Sequence, residues 1–403
     1  MAEHQEQPET PPEPKTIATV KSFEQLYSLI SSGDAKTVIE YLDHNHITPE
    51  TYTSLVQDRY YSQLRYSPVA TAARTGQLDI MKALIAHGFS PEETSRNLTG
   101  KNEYPVHLAC AANQIAVVKS LIEDYGVSVD SRDSGDSTPM FWAILTENMD
   151  MLRLLVDAGA DVNSTFHDTM TPLLFAAFMI NSLMCEYLME NGANVNDTGD
   201  CGNTPLCLSV RCVNTSRVLI DAGADINHIN SQGDTPLILA SKRNYRNTVE
   251  LLGSRGACAD IQDKEGRTAL HHAVDRDHNK IAEYLIGHLN VKLDVVDNLG
   301  RSAFYMAFFQ RNAELVELLI QAGADPGKED IVYEEDPGDK EHPLWYSVVK
   351  DCRHIGRNAR TLQHLCRFKV RSMFGRDINT AIKTLPLPET VKDDLALHYY
   401  IGY

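Results

Sequence analysis

The sequence predicts an all-α solenoid of short helix-turn-helix units, followed by a separate C-terminal module of three helices. Three observations carry that expectation. A Thr/Ser-Pro dipeptide or its equivalent recurs at Ser67-Pro68, Tyr104-Pro105, Thr138-Pro139, Thr171-Pro172, Thr204-Pro205, Thr235-Pro236, Thr268-Ala269 and Ser302-Ala303, at intervals of 37, 34, 33, 33, 31, 33 and 34 residues; self-similarity at such a period marks a repeat architecture. Each dipeptide opens two apolar runs of helical period that close on a glycine, as in "TPLLFAAFMINSLMCEYLMENGANVND" (171–197). The charge then changes sign: from Asp351 onward nine Lys/Arg stand against five Asp/Glu, a +4 tail on a chain whose net charge is -18, which leaves -22 for the rest.

With 403 residues, 43% of them hydrophobic, the chain can bury a sizeable core. It contains no run of eighteen apolar residues, and "MAEHQEQPETPPEPK" is polar, acidic and proline-rich. Neither a membrane span nor a secretory signal is therefore expected. The eight cysteines (110, 185, 201, 207, 212, 258, 352, 366) form no C-x-x-C pair, which suits reduced, packed thiols in the cytoplasm, and also the nucleus. The acidic body makes nucleic acid an unsuitable partner.

In chain order, residues 1–21 read as a disordered polar tail and 22–65 as a degenerate N-terminal capping unit ("YSLISSGDAKTVIEYLDHN", 27–45) with an insertion ("ITPETYTSLVQDRYYSQLRY"). Residues 66–330 hold the eight clear units. In each, the first Thr can cap a helix and the Pro occupies the first helical position, where its missing N–H costs nothing. Small residues such as Ala176 and Ala177 allow close helix approach, and Leu154, Leu155 and Val156 turn toward neighbouring units. Gly159, Gly192 and Gly223 fall where a left-handed cap favours glycine. No unit covers its own apolar face, so stacking supplies the core. Period and phrase together resemble the ankyrin repeat. An acidic loop follows at 331–342, within "EDIVYEEDPGDKE", and then a partial final unit at 343–358, entered through "HPLWYSVVKDC" (342–352).

No motif for chemistry is present: there is no G-x-x-x-x-G-K-[ST], G-x-G-x-x-G after a strand, G-x-S-x-G or H-E-x-x-H. The chain is expected not to be an enzyme and to need no cofactor. Cys201, Cys207 and Cys212 are spaced by six and five, outside the usual zinc patterns, so no metal site is expected. His271 takes the place in "TALHH" that His107 takes in "YPVHL", a position suited to a hydrogen-bonded scaffold role. Glu334 and Glu335 lie in the acidic loop, with no apolar setting to raise a pKa.

Residues 359–403 begin with "TLQHLCRFKV" (361–370), in which Leu362, Cys366 and Val370 at i, i+4 and i+8 form one helical stripe widened by Leu365, Phe368, Met373 and Phe374. Gly375 can end this helix, Asp377 can cap a second, and Pro386 and Pro388 precede a third from about Glu389. The pattern Thr361-Leu362-x-x-x-Cys366-x-x-x-Val370 resembles the elongin-binding box of the suppressor-of-cytokine-signalling (SOCS) box, and "LPLPETV" (385–391) resembles its cullin-binding box. An ankyrin array with this module is the layout of the ankyrin-repeat and SOCS-box proteins, a resemblance that spans about residues 22 to 400.

The resemblance implies a substrate-recognition subunit of a cullin-5 RING ubiquitin ligase. Thr361, Leu362, Leu365, Cys366 and Val370 would bind elongin C, with elongin B as its constant partner. Leu385, Pro386, Leu387, Pro388 and Val391 would meet cullin-5, which brings a RING subunit. The family often carries an aromatic three residues beyond Val391, where this chain has Asp394 followed by Leu395. The rival reading is a ligase-independent ankyrin scaffold, which would purify without elongins.

An unidentified protein substrate is expected on hairpin tips and first-helix ends. The candidates are His167, Asp168, Met170, Phe178, Met179, Lys242, Arg243, Lys264, Arg267, Leu299, Arg301 and Phe309. Asn163, Asn196 and Asn227 each follow a leucine by eight residues in a D/N-V/I-N hairpin. They resemble targets of an oxygen-sensing asparaginyl hydroxylase, or else are turn asparagines bonding their own backbone.

Overall fold

The computed structural model describes residues 14–56, 66–93, 95–96, 102–166 and 169–325. The chain divides into two compact units, Met1–Asn194 and Val195–Tyr403.

In the first unit, α1 (Pro14–Ser32) and α2 (Ala35–Asn45) form a helix pair, and α3 (Pro49–Val56) lies within the expected insertion. Of the polar tail expected over 1–21, residues 14–21 are helical instead. The helix already begins at Pro14, a residue pre-shaped for a first helical turn. Four helix pairs follow: α4 (Pro68–Thr75) with α5 (Leu78–Ala86), α6 (Pro105–Ala111) with α7 (Ile115–Glu123), α8 (Pro139–Leu145) with α9 (Met149–Asp157), and α10 (Pro172–Phe178) with α11 (Ser182–Glu190). The long 37-residue interval is taken up between α5 and α6, where β1 (Ser95–Arg96) pairs antiparallel with β2 (Asn102–Glu103) in a two-residue ladder. In the second unit the pairs are α12 (Pro205–Ser209) with α13 (Val213–Asp221), α14 (Pro236–Lys242) with α15 (Arg246–Ser254), α16 (Ala269–Asp275) with α17 (Asn279–His288), and α18 (Ala303–Phe309) with α19 (Ala313–Ala322).

First helices of about seven residues are marginal alone, so caps and packing must hold them. The hydroxyls of Ser67, Thr171, Thr204, Thr235, Thr268 and Ser302 accept from the backbone N–H three residues on, at 3.1 to 3.5 Å. Thr138 does not make this bond. Within each unit, first helices pack on first helices and second on second. Their seam is lined by fully buried leucines at one register: Leu84, Leu121, Leu155 and Leu188 in the first unit, Leu219, Leu252, Leu285 and Leu319 in the second. Burying each such side chain contributes about 1.5–3 kcal/mol. Ala176 and Ala177 are fully buried, as close helix approach requires. Gly159, Gly192 and Gly223 adopt φ of +91°, +92° and +92°, the left-handed caps their positions predict.

Candidate functional site: binding edges on a bonded scaffold

Hairpins join successive helix pairs, and an acid or amide at their first position builds them. Asp133, Asn230, Asp263 and Asp297 each accept, through one side-chain oxygen, the backbone N–H groups two and four residues on, at 2.8 to 3.0 Å. The remaining oxygen of Asp133 accepts from the Trp142 indole at 3.3 Å, and that of Asp263 meets His272 Nε2 at 2.7 Å. The hairpins are thereby locked to the helices that follow them.

The histidines predicted as scaffold serve that role. His107 Nε2 donates to the carbonyls of Ser131 (2.9 Å) and Ser137 (3.0 Å). His271 Nε2 donates to the Arg301 carbonyl at 3.2 Å, while its Nδ1 accepts from the Thr268 hydroxyl (2.8 Å) and N–H (3.2 Å). Burial holds His107, His271 and His272 below the ordinary histidine value of 6.5, despite the partners that favour protonation. Burial alone would raise the Asp263 carboxyl, but the Arg267 N–H, His272 and the Lys242 ammonium together hold it low.

Among the described residues, Asp234, Asp263 and His272 bring potential metal-ligand atoms within 4.8 Å of one another. The Lys242 ammonium lies 2.5 Å from Asp234 Oδ1 and 3.3 Å from Asp263 Oδ2, so this pocket of charge already contains its cation. Of the three clustered cysteines, Cys207 is buried and its thiol pushed up by that burial, Cys212 is half-buried and Cys201 is exposed.

The expected contact residues fall into two kinds. Phe178 is 50% exposed, Phe309 64% and Leu299 74%, and Arg243 and Lys264 are also exposed. Met170 is half-buried, as is Met179, which follows Phe178 in sequence. By contrast, Lys242 is held as above, the Arg267 guanidinium pairs with Asp275 (3.4 Å) and approaches Asp297 (3.8 Å), and Arg301 pairs with Asp297 at 2.7 Å. Lys242 and Arg267 reach an acid of the next hairpin and Arg301 braces its own, so their charge is largely spent inside the fold. His167 and Asp168 lie outside the described residues, as do the acidic loop, the partial final unit and every elongin- and cullin-box position.

The three hairpin asparagines bond to the next hairpin. Asn163 Oδ1 accepts from Asn194 N (3.1 Å) and its amide donates to the Gly192 carbonyl (3.1 Å). Asn196 Oδ1 accepts from Asp225 N (2.8 Å), and Asn227 Oδ1 from Cys258 N (2.8 Å). Asp260 and Asp294 occupy the same rung further along, accepting from Lys292 N (2.8 Å) and Asp325 N (3.4 Å). Sequence spacing located the asparagines. The repeat of acids at the same rung is the signal that reveals an inter-repeat ladder.

Capped helix pairs, bonded hairpins and exposed loop edges define a partner-binding repeat protein. The family model for ankyrin repeats (3 copies) matches residues 27–133, 69–166, 106–199, 173–263 and 253–330, and that for the SOCS box matches 358–394. The chain belongs to the ankyrin repeat and SOCS box protein family. It is similar to Rabankyrin-5 of Mus musculus (35% identity over 83 residues, 21% of this chain and 7% of the relative) and to Alpha-latrocrustotoxin-Lt1a of Latrodectus tredecimguttatus (27% over 90 residues, 22% and 6%). The chain thus spans less than a tenth of the length of these relatives. The crystal structure of the ankyrin repeat domain of Bcl-3 matches with a TM-score of 0.50 and 24% identity, over 54% of this chain and 98% of that one, a likeness of fold.

Proposed function

We propose that the chain is the non-catalytic substrate receptor of a cullin-5 RING ubiquitin ligase and promotes ubiquitination and degradation of a protein held by its ankyrin repeats. The observation that carries this reading is the order of modules, a SOCS box at 358–394 behind ankyrin repeats at 27–330. Leu362 fills a pocket on elongin C, flanked by Thr361, Leu365, Cys366 and Val370, and elongin B accompanies it. Leu385, Pro386, Leu387, Pro388 and Val391 meet cullin-5, a contact in which Asp394 stands where relatives often have an aromatic. The RING subunit delivers a charged conjugating enzyme, and the receptor acts by proximity, raising the effective concentration of target lysines near activated ubiquitin. We place this activity in the cytoplasm and nucleus, in keeping with the free cysteines among the described residues.

A titration of the full chain with purified elongin B–C tests the assignment. Leu362→Ala combined with Cys366→Ala is expected to weaken binding about a hundredfold or more, since central apolar anchors carry much of an interface and each ~1.4 kcal/mol is tenfold. Undiminished affinity would overturn it. We further propose hydroxylation at Asn163, Asn196 and Asn227. Because their amides or carbonyls are engaged with the next hairpin, modification requires local opening, and peptide mass spectra from cells lacking a shift of about 16 mass units, one added oxygen, would remove the idea.

A further inference from the structure

Two adjoining repeats depart from the hairpin rule: the fifth has Gly199, whose N–H still donates to the Asn203 carbonyl, and the fourth places a large apolar ring there. At the hairpin position filled by Asp133, Asn230, Asp263 and Asp297, the fourth repeat has Phe166, whose backbone still pairs with Met170. The two side-chain bonds that an acid makes to the hairpin are thereby given up. In their place Phe166 packs edge-on against Phe141 (centroids 4.6 Å) and Phe175 (5.3 Å). Phe141 stacks on Phe175 at 4.8 Å, Phe175 on Phe178 at 6.5 Å, and Trp142 joins Phe141 edge-on at 5.5 Å.

The same repeat breaks a second rule. In five other repeats the left-handed residue that turns the chain after the first helix is Asn113, Glu147, Asn244, Asp277 or Arg311, whereas here it is Ile180 at φ +58°. A β-branched residue is a strong outlier in that region. Both departures lie beside Phe178, 50% exposed, and Ile180 itself is 39% exposed, as is Leu145 one repeat earlier. A fold optimised for itself would carry an acid, an asparagine and a polar helix end at these positions; local rules broken together mark function.

We propose that this aromatic edge, built on Phe141, Phe175 and Phe178 with Leu145 and Ile180, docks a partner segment that carries an arginine beside an apolar anchor. The inference rests on the receptor reading above and names the chemistry of the target it recognises. The apolar half of the ligand follows from the exposed rings, which are suited to anchor an interface. The cationic half follows from charge. Residues 104–194 carry twelve Asp/Glu and three Lys/Arg, a net of -9, against seventeen and thirteen over residues 195–325. The three cations are each paired within the first unit: Lys119 with Glu123 (3.9 Å), Arg132 with Asp136 (2.8 Å) and Arg153 with Asp150 (3.9 Å). Lys82 from the preceding repeat pairs with Asp124 at 2.9 Å, and the stretch that carries the aromatic edge still keeps a negative balance; a guanidinium can also lie over an aromatic face.

Panning the full chain against a random peptide display library tests this, followed by titration of the enriched peptides. The expected result is enrichment of arginine next to Phe, Leu or another apolar residue. Binding should weaken at least about tenfold with Phe178→Ala and with Leu145→Ala, as for interface anchors, and should fall with added salt. Both variants are surface truncations, and an unchanged melting temperature shows that they fold. Enrichment of acidic peptides, no enrichment, or binding indifferent to both truncations would overturn the proposal, as would a Phe178-dependent dimer in sedimentation velocity. Elongin affinity is read separately on the same variants and is expected to be unchanged, so failure of the docking edge and failure of the ligase reading are told apart.

Discussion

The fourth repeat of the first unit and the hairpins of the second solve one structural problem in opposite ways. Around Asp263 and Asp297, buried carboxylates collect backbone N–H groups, a histidine and the charges of Lys242, Arg267 and Arg301. Around Phe166, the same backbone turn is held by rings stacked toward an exposed Phe178. The first arrangement turns its cations inward and serves the fold. The second leaves apolar surface outward on a stretch of negative balance, which teaches that basic residues on a repeat face need not be contacts, while an aromatic ring in place of a hairpin acid can signal one.

The contrast can be broken most forcefully at Asp263. Asp263→Ala leaves two hairpin N–H groups and His272 without their acceptor and Lys242 with Asp234 alone, and is expected to lower stability by about 3–5 kcal/mol, read by urea unfolding. Phe166→Ala removes aromatic packing with few polar consequences and is expected to cost about 3 kcal/mol, with a signature in near-ultraviolet dichroism that Asp263→Ala lacks.

An acid titration sharpens the same comparison. His107, His271 and His272 have folded values below 6.5, so between 6.5 and those values the unfolded chain binds more protons. Their contribution is present above pH 6.5 and is lost as pH falls. Glu93 behaves oppositely: burial raises it from 4.5 to about 7, so the folded state binds the extra proton and stability falls as pH rises between those values. Glu93→Gln is expected to abolish that decline, and a pH series of melting temperatures measures it. A smaller effect belongs to Ile180→Asn, which relieves a β-branched residue at φ +58° and is expected to stabilise the fold by about 1 kcal/mol. Phe178→Ala should shift stability by no more than about 0.5 kcal/mol.

Much of this was legible in the sequence because the repeat displays it many times. The hydroxyl-Pro pairs gave the first helices and their caps, and Gly159, Gly192 and Gly223 gave the left-handed turns. The scaffold role of His271 followed from its place in "TALHH", the one His107 takes in "YPVHL". What stayed hidden depends on partners remote in sequence. Lys242 finds Asp263 one hairpin on, and Asn163 bonds to Asn194. Phe166 is informative only after the hairpin positions are aligned through their bonds, and Ile180 only once its φ is seen. The start of α1 at Pro14 was missed because the acidic, proline-rich leader masks a helix-forming stretch behind it.

The central claim is a division of labour between an ankyrin face that holds the target and a SOCS box that recruits the ligase. It is tested most directly by purifying the tagged full chain, its Phe178→Ala variant and its Leu362→Ala/Cys366→Ala variant from cells, and quantifying elongin B, elongin C and cullin-5 in each. The account expects all three proteins with the parent and with Phe178→Ala, and their loss with the double variant. Elongins undiminished in the double variant, or absent from the parent, would contradict it.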